Sequence, residues 1–149
     1  MNTGQFLERI YRLMNLNQAA QKQPRQYGSN VTLYAAEVHM LEIIGDRPGI
    51  MSTELAARLA ISKGAVSQTL KKLAEKSLVR KSAAADGRAA ALFLSEEGEK
   101  VWQAHQALHE PMLRELQQLT EQLTPEAAQA LERLGEVLEA HLTQITQED

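Results

Sequence analysis

The sequence contains no cysteine. That absence removes disulfides, thiolate metal sites and thiol-based redox sensing together. Proline and glycine are scarce, 4 and 8 in 149 residues, too few for a fibrous or low-complexity chain. No stretch approaches the about 18 apolar residues of a membrane span, and Met1 to Ile10 lacks the basic-then-apolar order of a secretory leader. The expectation is a cytoplasmic protein with no membrane partner. Internal repeats, a glycine-rich phosphate loop and a nucleophile elbow are also missing, so an enzyme would have to work through its histidines and a metal-bound water. What remains is an ordinary globular composition, 44% hydrophobic and 23% charged, on a chain long enough for one domain or for one module plus helices that need a partner.

The net charge of −3 gives a misleading first impression, because the charges are segregated. Residues 47 to 90 hold nine basic groups (Arg47, Arg58, Lys63, Lys71, Lys72, Lys76, Arg80, Lys81, Arg88) against three acidic ones (Glu54, Glu75, Asp86). A basic middle between acidic flanks suits a phosphate-facing module in a self-associating scaffold, although a solvated helical surface could carry the same charges.

Apolar spacing predicts a first helix carrying Phe6, Leu7, Ile10, Leu13 and Met14, then a loop over residues 22–30. A second helix is expected over 33–44 with Val38, Leu41 and Ile44 inward, stopped by the Gly45 to Gly49 segment; Ile50 and Met51 allow only a very short strand. Ser52 is read as the cap of a third helix with Leu55, Ala56 and Leu59 on one face. Ser62 is read as the cap of a fourth with Val66, Leu70 and Leu73 inside. Residues 78–81 and 89–94 read as the strands of a hairpin with Asp86-Gly87 at its tip. Ser95 opens a long helix, with Trp102 and Met112 at core spacing and Pro111 expected to kink it; Thr124-Pro125 starts the last helix.

Helix, turn, helix and hairpin within the basic segment describe a winged helix-turn-helix, in a protein that is mainly α with a small β-hairpin wing. A helix fits the major groove of B-DNA if its exposed face offers donors and acceptors to base edges while its neighbours meet phosphates. The stripe Gly64, Ser67, Gln68, Lys71, Lys72 and Glu75 follows helical spacing almost without an apolar interruption. Ser62, Lys63 and Gly64 are expected at the backbone, where free amides and the positive helix end favour phosphate. Ser67 and Gln68 are the expected base readers, Lys71 and Lys72 the phosphate neutralisers. Arg80 and Lys81 lie at the base of the hairpin, and Arg88 near its tip suits the narrow minor groove.

Over nearly its whole length the chain resembles the MarR (multiple antibiotic resistance) family of transcription regulators. The similar stretches are residues 52–59, Lys63 to Val79, and Asp86 to Ser95, where an Asp and an Arg two residues later precede Leu94-Ser95. The resemblance implies one domain spanning 1–149, with a winged helix-turn-helix core over about 33–95. Flanking dimerisation helices are implied over about 4–21 and 96–146. It implies a recognition helix over 63–76, a wing arginine at Arg88 and an ion pair through which Asp86 orients the wing. The expected activity is that of a homodimeric repressor of a pseudo-palindromic operator, its two recognition helices about 34 Å apart in successive major grooves and its affinity set by an effector. The alternative is a metal- or partner-binding helical protein whose winged helix mediates protein contacts. Two departures stand out: Ser77 replaces a helix-ending glycine, and the alanines from Ala83 to Ala85 make the wing less basic.

His105 and His109 are four residues apart, share a helix face and could chelate one ion, although such pairs also arise by chance. Zinc-dependent members of the family carry zinc-ligating histidines at the places of His39, His105 and His109, so the resemblance implies a possible zinc site there. Glu42, one turn beyond His39 on the same face, is the candidate carboxylate, while Glu37 points elsewhere. Gln21 lies near the place of the family's acidic ligand. A small phenolic effector in the same region is the rival reading.

Overall fold

The computed structural model describes residues 2–82 and 90–147. Helix α1, Thr3–Gln21, starts from a capping box: Asn2 Oδ1 accepts the Gln5 amide at 2.9 Å, and Gln5 Oε1 accepts the Asn2 amide at 3.0 Å. The segment expected to be only loop contains a two-residue antiparallel ladder, β1 (Arg25–Gln26) with β2 (Thr32–Leu33). Gly28 turns between them with φ +60°, and a Cβ there would stand 3.1 Å from the Ala104 methyl.

Helix α2, Ala35–Asp46, buries Val38, Met40, Leu41 and Ile44. Helix α3, Ser52–Leu59, corrects the sequence reading at its start: Met51 is the N-cap and Ser52 the first helical residue. The Glu54 carboxylate, not the Ser52 hydroxyl, accepts the Met51 amide at 3.1 Å. The longer side chain can reach back over the turn from the third helical position. Ala60 ends the helix in the left-handed region at φ 52°.

Helix α4, Lys63–Glu75, opens as expected on Ser62, whose Oγ accepts the Ala65 amide at 3.1 Å. Strands β3 (Val79–Ser82) and β4 (Ala91–Leu94) then pair antiparallel, Val79 opposite Leu94 and Ser82 opposite Ala91. Ile50 contributes one isolated bridge, to Leu92. Helix α5, Glu96–Glu121, begins at Ser95, whose Oγ accepts the Gly98 amide at 3.0 Å and donates to the Ser77 carbonyl at 2.7 Å. Gly98 is obligatory there, since a Cβ would fall 2.0 Å from the Leu78 carbonyl oxygen.

Leu33, Leu41, Ile44, Leu55, Val66, Leu73, Leu78, Leu92 and Val101 belong to one buried cluster to which α2, α3, α4, the hairpin and the start of α5 all contribute. Trp102 packs on its edge, and its indole N–H donates to Asp46 Oδ1 at 3.1 Å. Gly45 is kept small by that ring, 2.7 Å from where its Cβ would be.

The chain divides into two compact units, Met1–Ala107 and Leu108–Asp149. Helix α5 is continuous through the boundary and through Pro111. Proline has no N–H to give to the carbonyl four residues earlier, and that residue is Ala107, the last of the first unit. In the second unit α6, Pro125–Gln147, starts from Thr124, whose Oγ1 accepts the Ala127 amide at 3.2 Å. Its own backbone amide and the Thr124 hydroxyl hold the Glu126 carboxyl below the usual carboxylate range.

Met112, read as a packing residue, is exposed, as are Leu116, Leu119, Leu131, Leu134 and Ile145 of the same unit. On α1 the apolar Leu7, Leu13 and Met14 are likewise uncovered. Helical spacing marks an apolar face without saying whether the same chain supplies its cover. Among the described residues no helix is long and apolar enough to cross a membrane.

Candidate nucleic-acid interface

Helix α4 separates its two faces cleanly. Val66, Leu70 and Leu73 are buried, and Lys63, Gly64, Ser67, Gln68, Lys71, Lys72 and Glu75 are all exposed. The burial of the first set leaves the second no freedom about the helix axis. Thr69, between them, donates its hydroxyl to the Ala65 carbonyl at 3.1 Å, so the free hydroxyl of the stripe belongs to Ser67. Lys71 makes only an exposed 4.0 Å approach to Glu75, which is worth little and leaves its charge to solvent or a phosphate.

The start of α4 suits an anion. The first repeating helix bond is from the Val66 amide to the Ser62 carbonyl, and the Ser62 hydroxyl takes the Ala65 amide. The amides of Lys63 and Gly64 precede both and lie at the positive end of the helix dipole. A Cβ on Gly64 would meet nothing closer than Ser62 Oγ at 3.8 Å, so the glycine keeps the surface low rather than relieving a clash.

At the base of the hairpin, Lys81 is exposed on β3. Arg80 is more constrained: its Nε donates to the Leu94 carbonyl at 3.3 Å and its guanidinium lies 4.9 Å from the centre of the Phe93 ring. These contacts fix the stem of Arg80 while leaving guanidinium donors to point outward. Asp86 and Arg88, the expected ion-pairing aspartate and wing arginine, lie outside the described residues.

Sequence reasoning missed the joint behind α4. Lys76, counted with the basic surface, places its Nζ 2.6 Å from Glu37 Oε1 and 2.8 Å from the Thr32 carbonyl oxygen. Glu37 Oε2 accepts the Tyr34 amide at 2.9 Å, and the carboxylate is buried. The only trace in the sequence is a glutamate three residues after a helix cap, and Tyr34 at the cap hides it, because the capping-box pattern is recognised by serine or threonine there.

The candidate histidines differ in their surroundings. His105 is buried, with Nδ1 3.8 Å from Glu42 Oε1 and its ring edge-on to Tyr27 at 5.3 Å between centroids. His39 is exposed on α2, and His109 belongs to the second unit. Zinc held by a protein needs three or four protein ligands. Among the described residues no three His, Asp or Glu side chains come together to hold an ion.

Comparison with known proteins follows the same lines as the geometry. A model described as the MarR family matches residues 33–89, the segment from the end of β2 through α4 and β3. The transcriptional regulator ZitR of Lactococcus lactis subsp. cremoris is 32% identical over 111 residues, which is 74% of this chain and 76% of ZitR. The HTH-type transcriptional regulator BilQ of Clostridium symbiosum is 34% identical over 101 residues, 66% of this chain and 70% of BilQ. The structure of Lactococcus lactis ZitR in complex with DNA is similar with a TM-score of 0.67 at 25% identity, covering 95% of this chain and 99% of that one. A crystal structure of ZitR, described there as a zinc-responsive MarR family member, has a TM-score of 0.66 at 28% identity and covers 93% and 97% of the two chains.

Proposed function

This chain belongs to the MarR family, and from that premise we propose that it is a homodimeric, repressor-like transcription regulator that reads a pseudo-palindromic operator through α4. It is a regulator rather than an enzyme, as its relatives are. The observation that carries the proposal is the exposed stripe of α4, polar and basic from Lys63 to Lys72, held outward by the burial of Val66, Leu70 and Leu73. In the proposed complex Ser62, Lys63 and Gly64 approach the backbone through their amides, Ser67 and Gln68 read base edges, and Lys71 and Lys72 neutralise phosphates. Arg80 and Lys81 extend the phosphate contacts along the hairpin, with Asp86 and Arg88 assigned to the wing on the family pattern. ZitR has been solved on DNA, which supports duplex DNA as the partner.

The test is duplex binding titrated against salt. A protein that neutralises several phosphates loses affinity steeply between low and moderate salt, because each contact releases condensed counterions. No binding to any duplex at low salt would overturn the proposal in favour of a module that contacts proteins.

Dimerisation is proposed from the uncovered apolar faces of α1, α5 and α6, for which a second copy is the simplest cover. For the effector we propose zinc, supported by the description of ZitR as zinc-responsive and by the approach of His105 to Glu42. His39 and His109 would have to complete the ligand set. Metal content after purification without chelator, with zinc added back, is expected to be stoichiometric in the wild type and reduced in His105→Ala; a metal-free wild type would overturn it.

A further inference from the structure

Lys76 stands four residues after Lys72, in the row that would extend the phosphate-facing side of α4. The structure turns its side chain the other way. Its ammonium is shared between the Glu37 carboxylate at 2.6 Å and the Thr32 carbonyl at 2.8 Å, and Glu37 in turn accepts the Tyr34 amide at 2.9 Å. One nitrogen thus joins the end of β2, the first turn of α2 and the C-terminus of α4. The joint is also where the chain leaves α4 for the wing: Lys76 is the C-cap, Ser77 adopts φ 58°, and Leu78 is buried ahead of β3.

The partners make this more than a surface ion pair. The Glu37 side chain is 4% exposed and that of Lys76 is 29% exposed. A buried carboxylate keeps its partner because leaving it alone is costly, so the position of Nζ is dictated from α2. Lys76 caps the C-terminus of α4, and fixing it fixes the far end of the helix whose near end is assigned to the DNA.

We propose that Lys76 is not a phosphate contact but a positioning residue, locked by Glu37 so that it sets the angle at which the recognition helix is presented. The inference rests on the DNA-binding reading above. It assigns to sequence discrimination a lysine that charge counting would assign to general affinity.

The two roles differ in what they do to salt dependence and to the ratio of specific to non-specific binding. The probes are a duplex selected by the wild-type protein from a random pool and a scrambled duplex of the same length. Lys76→Met is expected to weaken the selected duplex about tenfold, leave the scrambled one nearly unchanged and keep the salt slope of the wild type. Adding Glu37→Gln removes the stranded buried carboxylate, and Lys76→Met/Glu37→Gln is expected to regain most of the lost thermal stability while preference for the selected duplex stays reduced, because the lock is still absent.

A fall in the salt slope of about 0.9 for each lysine removed would make Lys76 a phosphate contact and overturn the inference. Equal losses on both duplexes at unchanged slope would reduce the pair to fold stability and also overturn it. If the single variant does not fold, the double variant decides alone: wild-type slope with reduced selectivity supports the inference, and a reduced slope or wild-type selectivity overturns it. Failure of the wild type to bind either duplex is a separate result, which removes the DNA-binding reading and the inference with it.

Discussion

Ser77 shows how much a single backbone conformation can matter. It occupies the left-handed region at φ 58°, where the family resemblance leads one to expect glycine, and its amide closes the end of α4 on the Ala74 carbonyl at 2.9 Å. A residue with a Cβ pays about 1–2 kcal/mol for that region, and glycine gives back part of the gain as entropy in the unfolded chain. The Ser77 side chain is exposed, so nothing is lost from the core. Ser77→Gly is therefore expected to raise stability by about 0.5 kcal/mol, read as a higher urea midpoint at unchanged slope. A lower midpoint would mean that the serine hydroxyl does something at the α4–wing joint that outweighs the strain.

At the scale of elements, the proposed labour is divided along the exposed face of α4. Gln68 carries an amide able to make paired hydrogen bonds to adenine, whereas Lys72 carries a point charge with no such geometry. Gln68→Ala is expected to relax sequence preference at one position of each half-site, at a cost of about 1–3 kcal/mol on the preferred duplex. Lys72→Ala should instead weaken all duplexes alike and reduce the salt slope by about one for each lysine removed. Binding titrations on a panel of single-base variants distinguish the two, and the reverse pattern would exchange the assigned roles. The hairpin supports the same face from its base, where Arg80 is steadied by Phe93 and the Leu94 carbonyl.

For the whole molecule the telling feature is the amount of apolar surface that one chain leaves bare. Leu116, Leu119, Leu131, Leu134, Val137 and Ile145 are each at least 43% exposed, on helices whose spacing is otherwise that of core elements. Apolar helix faces left bare in this way mark association. Removing residues 125–149 is expected to yield a weakly associating chain with little operator affinity, since a pseudo-palindrome needs two linked modules. Sedimentation together with duplex binding checks this. A stable monomer that keeps full affinity would remove both the dimer and the need for a second half-site.

Much of this protein was settled locally and could be read in advance. Ser62 caps α4 and Thr124 caps α6 because a hydroxyl at that position reaches the amide three residues on, an interaction confined to one turn. The inward set of α4 and its polar stripe follow from the 3.6-residue period, which belongs to the sequence itself. Distant pairings were not legible. Glu37 meets Lys76 across 39 positions and Trp102 meets Asp46 across 56, and no periodicity encodes which charge or ring a fold will bring together. The same limit applies to the histidines, where spacing puts His105 and His109 on one face but only packing decides that His105 adjoins Glu42 while His39 stays exposed. Local hydrogen-bond geometry and helical period thus determined the elements and the exposed polar face of α4. The joint behind that face was decided by which buried charge had to find a partner.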